Sequence, residues 1–422
     1  MKEWLSYISK LHSREIDLGL SRIVTLAEKL SLRDFSCPVI TVAGTNGKGS
    51  VIKFLESIYL AAGYRVAAYT SPHLLQFNER LRINGYSVSD EELVDAFSFV
   101  ENNRDNQPLS FFEFTTLAIF YICKKQPLDV LLLEIGLGGR LDAVNIVEPN
   151  VAVISNIDID HTNYLGKDRE SIGREKAGII RCHKLIVCGD PNPPKSVHET
   201  AKKLEAPFFQ FGTDFFAKVG EGIWEWQGPE TVFEKLPLPE LKIQNAATSL
   251  MALHCLQGRL PLSLDAIRNG INKAVLPGRF ECVKNPAPII FDVAHNPQAA
   301  RYLAKKLQQT AYSSRRTLAV VGMLKDKDIR GTLESMLSCV DQWYIGGLQK
   351  EVRGATSENL MKVLVECKEN SARICYSFVS VTEAFEGALN NCGSQDRIIV
   401  FGSFHTVGIV KQYLSGKVND GD

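Results

Sequence analysis

The stretch TVAGTNGKGS (41–50) follows an apolar, β-branched run and precedes a segment with helical spacing. Its three glycines let the backbone close around an anion, and a helix N-terminus binds anions through its N–H groups and its dipole. A standard phosphate-binding loop reads G-x-x-x-x-G-K-[ST], whereas here Gly49 separates Lys48 from Ser50. The stretch therefore predicts a variant phosphate-binding loop, with a glycine-rich turn that carries a surface lysine as the alternative.

On both sides of this loop, short β-branched runs alternate with longer amphipathic segments, which is typical of a parallel sheet covered by helices. The first series of predicted strands is 38–43, 65–70, 129–134, 150–155 and 184–188. The aromatic, glycine-rich segment 208–228 differs and predicts a small antiparallel insert. A helix is predicted over about 244–256.

A second alternating series of strands and helices starts near Pro288 and predicts a second doubly wound, Rossmann-like α/β domain. The proline- and glycine-containing segment 277–288 is predicted to be the linker. The expected fold is thus α/β, with an N-terminal ATP-binding domain over 1–280 and a C-terminal domain over 286–422.

Composition narrows the class of protein. With 422 residues the chain has room for two or three domains, and its Lys+Arg and Asp+Glu counts are both 48. This balance argues against a nucleic-acid partner or a polybasic membrane anchor. The ten cysteines show no zinc spacing, and neither a signal peptide nor an apolar run of roughly 20 residues is present. A cytoplasmic protein with reduced thiols is expected.

Three polar residues follow three predicted strands, and the carboxyl ends of parallel strands are where ligands bind. They are Ser71, Glu134 and His161. A hydroxyl, a carboxylate and an imidazole suit a divalent ion that also contacts phosphates, since Mg²⁺ takes few protein ligands. Taken alone, a histidine such as His161 is more often a hydrogen-bonded surface or core residue than a metal ligand. Glu134 ends an apolar run, so its carboxylate needs a partner or a metal.

Two further positions are ambiguous from the residues alone. Lys176 lies among other charges in SIGREKAGIIR (171–181), which by composition is a solvated helix face. Asp292 ends a predicted strand and is followed by His295 and Asn296. An acid at such a place accepts a hydrogen bond from a ribose hydroxyl in nucleotide sites, or else caps the next helix.

In this order, the segments resemble the folylpolyglutamate synthase/dihydrofolate synthase family within the Mur ligase superfamily. The resemblance covers 16–408, nearly the whole chain, and in that superfamily the spacing GTNGKG[ST] is normal. The stretches that carry it are IDLGLSR, VAGTNGKGS, YTSPHL, FNERLRING, SFFEF, EIGLGGRLDAVN, DHTNYLG, SIGREKAGIIR, QNAATSL, PGRFE, FDVAHNP, GMLKDKD and FGSFHTVG.

The resemblance implies ATP-dependent amide ligation through an acyl phosphate, with L-glutamate as the amine. The implied substrates are dihydropteroate and reduced folates, as in the bacterial bifunctional members, and a monomer without nucleic-acid or membrane partners is expected. The implied ATP site consists of Thr45, Asn46, Gly47, Lys48, Gly49, Ser50, Asn245, Arg279, Asp292 and His295. The implied Mg²⁺ ligands are Ser50, Ser71, Glu134 and His161.

The resemblance also changes the interpretation of Lys176, because the matching lysine in the family is carbamylated by CO₂. Catalytic roles are implied for Lys48, Glu134, His161 and carbamylated Lys176. The implied pterin site consists of Ile16, Asp17, Leu18, Ser110, Phe111, Phe112, Glu113, Leu141, Asp142 and Ala143. The two-domain layout predicts closure of the C-terminal domain over ATP.

Two alternatives stay open. A peptidoglycan-precursor ligase acting on UDP-muramyl substrates would need an extra N-terminal domain, for which the residues before the loop leave no room. A non-catalytic nucleotide-binding protein would bind ATP without turnover, which the combination of Lys48, Ser71, Glu134, His161 and Lys176 disfavours.

Overall fold

Two units make up the described chain, Met1–Val275 and Leu276–Asp422. The computed structural model describes residues 1–12, 19–284, 287–309, 316–367 and 374–419. All ten cysteines lie in these ranges, and each is a free thiol. Within the same ranges, no helix combines the length and the apolar composition that a membrane span requires.

The first unit is built on an eight-stranded sheet in the order β4-β3-β2-β5-β1-β6-β7-β8. Strand β1 lies inside the sheet, parallel to β5 on one side and to β6 on the other, and all three are fully buried. Strands buried on both faces carry continuous apolar runs, which is why these segments were predictable. The bounds are β1 Val39–Ala43, β2 Val66–Tyr69, β3 Leu81–Ile83, β4 Tyr86–Ser87, β5 Val130–Glu134, β6 Val151–Ile154, β7 Leu185–Cys188 and β8 Phe208–Gln210.

Ten helices of the first unit are described. Several begin at a residue whose side chain accepts a backbone N–H, as Ser89 does for α4 and Asp168 for α7, which satisfies donors that the helix itself cannot. Their bounds are α1 Lys2–Ile8, α2 Ser21–Lys29, α3 Lys48–Ala61, α4 Asp90–Asn103, α5 Phe111–Lys124, α6 Thr162–Leu165, α7 Arg169–Ala177, α8 Lys195–Lys203, α9 Ile243–His254 and α10 Leu264–Lys273. Short 3₁₀ turns lie at Phe77–Arg80 and Ala143–Ile146.

The predicted antiparallel insert is confirmed, although its limits differ. Strands β9 (Phe216–Val219), β10 (Ile223–Gly228) and β11 (Thr231–Pro237) form a separate three-stranded antiparallel sheet. The first three residues of the predicted segment, 208–210, instead form β8, which pairs in parallel with β7 at the edge of the main sheet. Aromatic composition alone could not separate an edge strand of one sheet from the first strand of another.

The second unit has a six-stranded sheet in the order β12-β13-β17-β14-β15-β16, parallel except for β12. The segment predicted as a linker is wrong over Arg279–Lys284, because these residues form β12 and pair antiparallel with β13. The elements are β12 Arg279–Lys284, β13 Pro288–Asp292, α11 Pro297–Gln309, β14 Thr317–Val321, α12 Ile329–Glu334, β15 Gln342–Gly346, α13 Ser357–Cys367, β16 Ile374–Phe378, α14 Val381–Asn391, β17 Arg397–Phe401 and α15 Phe404–Asn419, with a 3₁₀ turn at Leu337–Cys339.

Candidate active site

The variant loop connects β1 to α3 and depends on two close backbone approaches. A β-carbon at Gly44 would lie 1.9 Å from Ser155 Oγ, and one at Gly47 would lie 2.7 Å from Asn245 Oδ1. Gly47 also has φ +84° at the N-cap of α3, a conformation that residues with a side chain rarely adopt. The loop therefore needs glycine at both positions, and it brings the predicted ATP residue Asn245 against its turn.

The segment after β6 holds the loop from the other side. The N–H of Thr45 donates to Asn156 O at 2.9 Å and that of Asn46 donates to Asn156 Oδ1 at 2.8 Å. The Thr45 hydroxyl donates to Asp158 O at 3.0 Å. These bonds fix the first half of the loop through groups in the segment that follows the neighbouring strand β6.

The second half of the loop is the first turn of α3. The first bond inside this helix runs from Val51 N to Gly47 O at 2.9 Å, so the N–H groups of Lys48, Gly49 and Ser50 precede it. N–H groups at this place in a helix are donors for an anion. The Lys48 ammonium lies across the same loop, donating to Gly44 O at 3.0 Å. The geometry is that of a phosphate-binding loop, in which backbone N–H groups and a lysine ammonium belong to the same turn.

Ser71 and Glu134 meet because β2 and β5 are parallel neighbours with Tyr69 paired to Leu133. The N–H of Ser71 donates to Glu134 Oε2 at 3.2 Å, and Glu134 is only 5% exposed. A buried carboxylate at a strand end, next to a hydroxyl, is a donor set that fits a hard divalent cation. The structure thus brings two of the predicted metal ligands together.

His161 follows the segment that binds the phosphate loop. It is the N-cap of α6 at φ +51°, its N–H accepted by Asp160 Oδ1 at 2.7 Å, and it lies three residues after the Asp158 carbonyl that binds Thr45. In the described part of the chain, no three His, Cys, Asp or Glu side chains form a metal cluster. Any divalent ion here would need hydroxyl and phosphate oxygens as well.

Lys176 is on α7 and is buried, with 3% of its surface exposed, so the solvated-face interpretation is wrong. Burial, together with the smaller effect of the Lys48 charge, lowers the pKa of its ammonium to about 7, although Asp160 and Asp142 oppose the shift. Lys176, Lys48 and Asp142 therefore interact electrostatically, although they come from three separate sequence motifs.

Asp142 and Phe112, two predicted pterin residues, both lie against Gly136. A β-carbon at Gly136 would come within 2.6 Å of the Phe112 ring and 3.2 Å of Asp142 Oδ2. The Asp142 carboxylate accepts the N–H of Leu137 at 2.7 Å and of Val144 at 3.0 Å. Burial raises the pKa of Asp142 to about 7 in spite of these bonds.

The other predicted pterin residues have mixed surroundings. Ser110 and Glu113 form a capping box at the start of α5, and Glu113 also accepts from Arg22 at 3.3 Å. Phe111 packs edge-on against Phe77, at 6.1 Å between ring centroids. Ala143 is buried and Leu141 half-buried. Ile16, Asp17 and Leu18 lie outside the described residues.

In the second unit, two of the predicted nucleotide residues, Arg279 and His295, lie near Phe404. The Arg279 guanidinium lies 5.9 Å and the His295 ring 6.3 Å from the centre of the Phe404 ring. Asp292 accepts the N–H groups of Phe280 and Ala294, both at 2.9 Å. Burial raises the pKa of Asp292, and Arg279 opposes this. Its hydrogen bonds come from β12 and from the loop that follows β13, so it does not serve as the N-cap of α11, whereas Asn296 Oδ1 accepts the N–H of Ala299 in the first turn of that helix.

Sequence reasoning missed several residues of these clusters. Arg80, 9% exposed, donates from Nε to His73 Nδ1 at 3.0 Å and lies 5.7 Å from the Phe111 ring centre. Burial lowers the pKa of Arg80, while Tyr69 and Glu134 raise it. The signal was present in FNERLRING, but an arginine in a charged, polar segment reads as solvated until its burial is known. Asn156 and Phe404 were missed because their contacts are with residues that are distant in the sequence.

Comparison with known proteins defines the class. The Mur ligase middle domain family matches residues 42–244, and the Mur ligase, glutamate ligase domain family matches residues 278–404. Over these ranges the chain is a Mur-type ligase.

Full-length relatives identify the family within this class of ligases. The dihydrofolate synthase/folylpolyglutamate synthase of Escherichia coli K12 is 43% identical over 421 residues, covering 100% of this chain and 97% of the relative. That of Haemophilus influenzae is 40% identical, covering 96% of each. The structure of E. coli FolC in complex with DHPP and ADP has a TM-score of 0.93 at 43% identity, covering 99% of this chain and 98% of that one.

A bifunctional folylpolyglutamate synthase/dihydrofolate synthase with Mn, AMPPNP and L-glutamate bound has a TM-score of 0.90 at 44% identity, with 98% of each chain covered. This chain belongs to the dihydrofolate synthase/folylpolyglutamate synthase family. The resemblance seen in the sequence motifs is thereby confirmed, and so is the expected α/β architecture.

Proposed function

We propose that this chain is an ATP-dependent ligase that adds L-glutamate to 7,8-dihydropteroate and extends the glutamate tail of reduced folates. The observation that carries the proposal is the geometry around the phosphate loop: the Lys48 ammonium donates to Gly44 O within the loop, and the Ser71 N–H donates to the buried Glu134 carboxylate where the parallel strands β2 and β5 end. The charge of Lys48 also affects the pKa of Lys176 and of Asp142, in the two segments that the resemblance assigns to the carbamate and the pterin. Full-length similarity to bifunctional enzymes of this activity supports it.

The reaction divides into two displacements. A substrate carboxylate oxygen attacks the γ-phosphorus of ATP, the bond from this phosphorus to the bridging oxygen breaks, and ADP leaves as the acyl phosphate forms. The glutamate amine then attacks the acyl carbon, the C–N bond forms, and phosphate leaves as the amine loses its proton. The chain contributes positioning and charge neutralisation. The N–H groups of Lys48, Gly49 and Ser50, with the Lys48 ammonium, would hold the phosphates.

The metal ion and the nucleotide phosphates would bind next to each other, and Ser50 would belong to both sites. Ser50, Ser71, Glu134 and His161 would hold Mg²⁺, which when bound supplies positive charge to the phosphate oxygens. Thr45, Asn46 and Gly47 would shape the loop, and Asn245 would contact ATP beside it. In the second unit, Arg279, Asp292 and His295 would contact the nucleotide.

Lys176 would act as a carbamate. Only the neutral amine attacks CO₂, forming an N–C bond and releasing a proton. A pKa lowered to about 7 leaves a large neutral fraction at physiological pH, and the resulting anion would be attracted to Lys48. The lowered pKa and the proximity of Lys48 thus both favour the modified form.

The pterin would bind at the segments around α5 and β5. Phe112 would stack on the ring, and Asp142 would accept from its nitrogens. Ser110, Phe111, Glu113, Leu141 and Ala143 would complete this surface. The enzyme is proposed to work as a cytoplasmic monomer on small molecules, without nucleic-acid or membrane partners.

Phosphate release tests the proposal. The purified chain with MgATP, L-glutamate and dihydropteroate should release phosphate only when all three are present, and so should the mixture with tetrahydrofolate in place of dihydropteroate. Absence of turnover with both pterin substrates would refute the proposed function, and turnover with a UDP-muramyl substrate instead would replace it.

A further inference from the structure

Helix α3 contains a fully buried carboxylate that the proposed reaction does not use. Glu56 is 0% exposed, and its oxygens accept from Arg82 Nε at 2.8 Å and from Lys53 Nζ at 3.1 Å. Glutamate is almost never fully buried unless it is paired. Lys48 and Ser50 lie on the first turn of the same helix. A side chain that is hydrogen-bonded to Glu56 is therefore linked through this helix to the phosphate loop.

Arg82 extends this contact to the residue before Ser71. It lies on β3, opposite Ala68 of β2, and its Nη1 donates to Thr70 Oγ1 at 3.1 Å. The same nitrogen donates to Glu79 O at 3.2 Å. A continuous path of bonds therefore runs from helix α3 through Arg82 to Thr70.

The path ends at the predicted metal ligands. The next N–H along the chain, that of Ser71, donates to Glu134 Oε2 at 3.2 Å. We propose that Glu56 and Arg82 are positioning residues, which hold Thr70 so that Ser71 and Glu134 stay at a fixed place relative to the phosphate loop. The inference rests on the proposed function, because it takes these two residues as metal ligands.

Stability does not explain the pair. A buried ion pair can often be replaced by apolar side chains of similar volume without loss of stability. Nη2 of Arg82 is buried without a hydrogen-bond partner among the described residues, which adds a desolvation cost. An apolar pair would lack the donor to Thr70, and this donor is the contribution that we assign to Arg82.

A matched pair of variants at Thr70 tests the role of the hydrogen bond from Arg82 to Thr70. Thr70→Val keeps the shape of the side chain and removes the acceptor, whereas Thr70→Ser keeps the acceptor. Outer-shell partners of metal ligands change metal affinity by about 10- to 100-fold when they are lost. We expect Thr70→Val to weaken Mn²⁺ binding in the presence of ADP by about 10-fold, measured by electron paramagnetic resonance.

Activity gives a second readout on the same proteins. The Mg²⁺ concentration for half-maximal phosphate release should rise by a similar factor in Thr70→Val, with a smaller change in kcat at saturating Mg²⁺. Thr70→Ser should match the wild type in both measurements. Wild-type Mn²⁺ affinity in Thr70→Val would overturn the inference.

A second set of variants separates positioning from folding. The double variant Glu56→Leu/Arg82→Met should remain folded, with a melting temperature near that of the wild type, and should show the same loss of metal affinity as Thr70→Val. Lys53→Met is the matched control, because it removes the other partner of Glu56 and leaves the bonds to Thr70. Equal loss of Mn²⁺ affinity in Lys53→Met would overturn the inference.

Failure of the proposed function would look different. In that case the wild type would show no turnover with either pterin substrate. Mn²⁺ affinity in the presence of ADP could still be measured for the wild type and for each variant, so the positioning role would still be tested. Metal binding by the wild type that no Thr70 variant alters would overturn the positioning role and leave the proposed function standing.

Discussion

The Asn245 side chain lies against the backbone of Gly47, so closely that a β-carbon on this glycine would come within 2.7 Å of the Asn245 amide oxygen. The contact joins the N-terminal turn of α9 to the N-cap of α3, and it explains how a residue about two hundred positions away in the sequence belongs to the phosphate loop.

Replacement of Gly47 by alanine should therefore impair nucleotide binding. The substitution introduces both the clash with Asn245 and a left-handed conformation, which costs about 1–2 kcal/mol for a residue with a β-carbon. We expect the KM for ATP to rise at least about 10-fold, which corresponds to roughly 1.4 kcal/mol. Steady-state kinetics with ATP as the varied substrate measures this.

Gly63→Ala is the control for that experiment. Gly63 has φ +85°, a β-carbon added to it would meet nothing within 4 Å, and it follows the other end of α3. The variant should lose stability without a change in the KM for ATP. A similar rise in KM in both variants would show that strain, and not the contact with Asn245, is responsible.

Loss of the Glu134 carboxylate should abolish catalysis. Glu134→Ala is expected to lower kcat by more than about 100-fold, because the buried carboxylate is the only charged member of the Ser71–Glu134 pair. Circular dichroism should show a folded protein. Glu148→Gln is the control, since Glu148 is 60% exposed in an ion pair with Arg181, and it should retain wild-type activity. Near-normal activity in Glu134→Ala would remove Glu134 from the site.

The carbamate assignment predicts chemical rescue. Lys176→Ala should lose most of its activity, and short carboxylic acids should restore part of it, because they can place an anion in the space that the side chain leaves. Phosphate release with and without added acetate measures the effect. A Lys176→Ala enzyme with the wild-type rate would refute the assignment.

The pKa of Lys176 also predicts a pH dependence of stability. Its folded value of about 7 lies below its ordinary value of 10.5, so between these limits the unfolded chain binds a proton that the folded protein has lost. The contribution of this group to the unfolding free energy is therefore unfavourable below about pH 7 and becomes less so as the pH rises towards 10.5. Lys176→Met should be more stable than the wild type at neutral pH, by a margin that shrinks as the pH rises.

Urea unfolding of both proteins in CO₂-free buffer measures that margin. The useful window lies above about pH 7, where Asp142 is also past its folded pKa and is ionised in both states. A margin that stays constant, or grows, between neutral pH and pH 10 would contradict the burial-driven pKa of Lys176.

Asp142 offers a test of substrate contact. Asp142→Asn cannot carry the charge and keeps only one acceptor oxygen, so we expect the KM for dihydropteroate to rise about 10-fold, with the KM for ATP little changed. The matched control is Asp129→Asn at the other end of β5, where the carboxylate pairs with Arg65. An unchanged KM for dihydropteroate in Asp142→Asn would exclude Asp142 from the pterin site.

Much of the architecture was predictable, because buried parallel strands carry continuous apolar runs. The predicted strands 38–43 and 129–134 differ from β1 and β5 by a single residue at one end, and 288–292 coincides with β13. The short strands β3 and β4 and the edge strand β12 were not predicted, since exposed or edge strands lack that signal. Their hydrogen bonds depend on a partner that the local sequence does not reveal.

The candidate site was predictable where backbone geometry demands a residue type, as at Gly47. The candidate site was not predictable where a side chain gains its role only through burial. Lys176 and Arg80 both read as surface charges, and only the resemblance to a family singled out Lys176. Lys48, Asp142 and Asp160 around Lys176 come from other segments of the chain, and Arg80 contacts Phe111 as well as the nearby His73, so the local sequence did not reveal the burial of either residue.

The bond from Asn46 to Asn156 spans 110 positions of the chain. During synthesis, the phosphate loop therefore emerges from the ribosome long before the segment after β6 that holds its first half. Until that segment has been translated, the loop lacks its hydrogen bonds to Asn156 and Asp158, so its final conformation depends on a contact between distant parts of the chain.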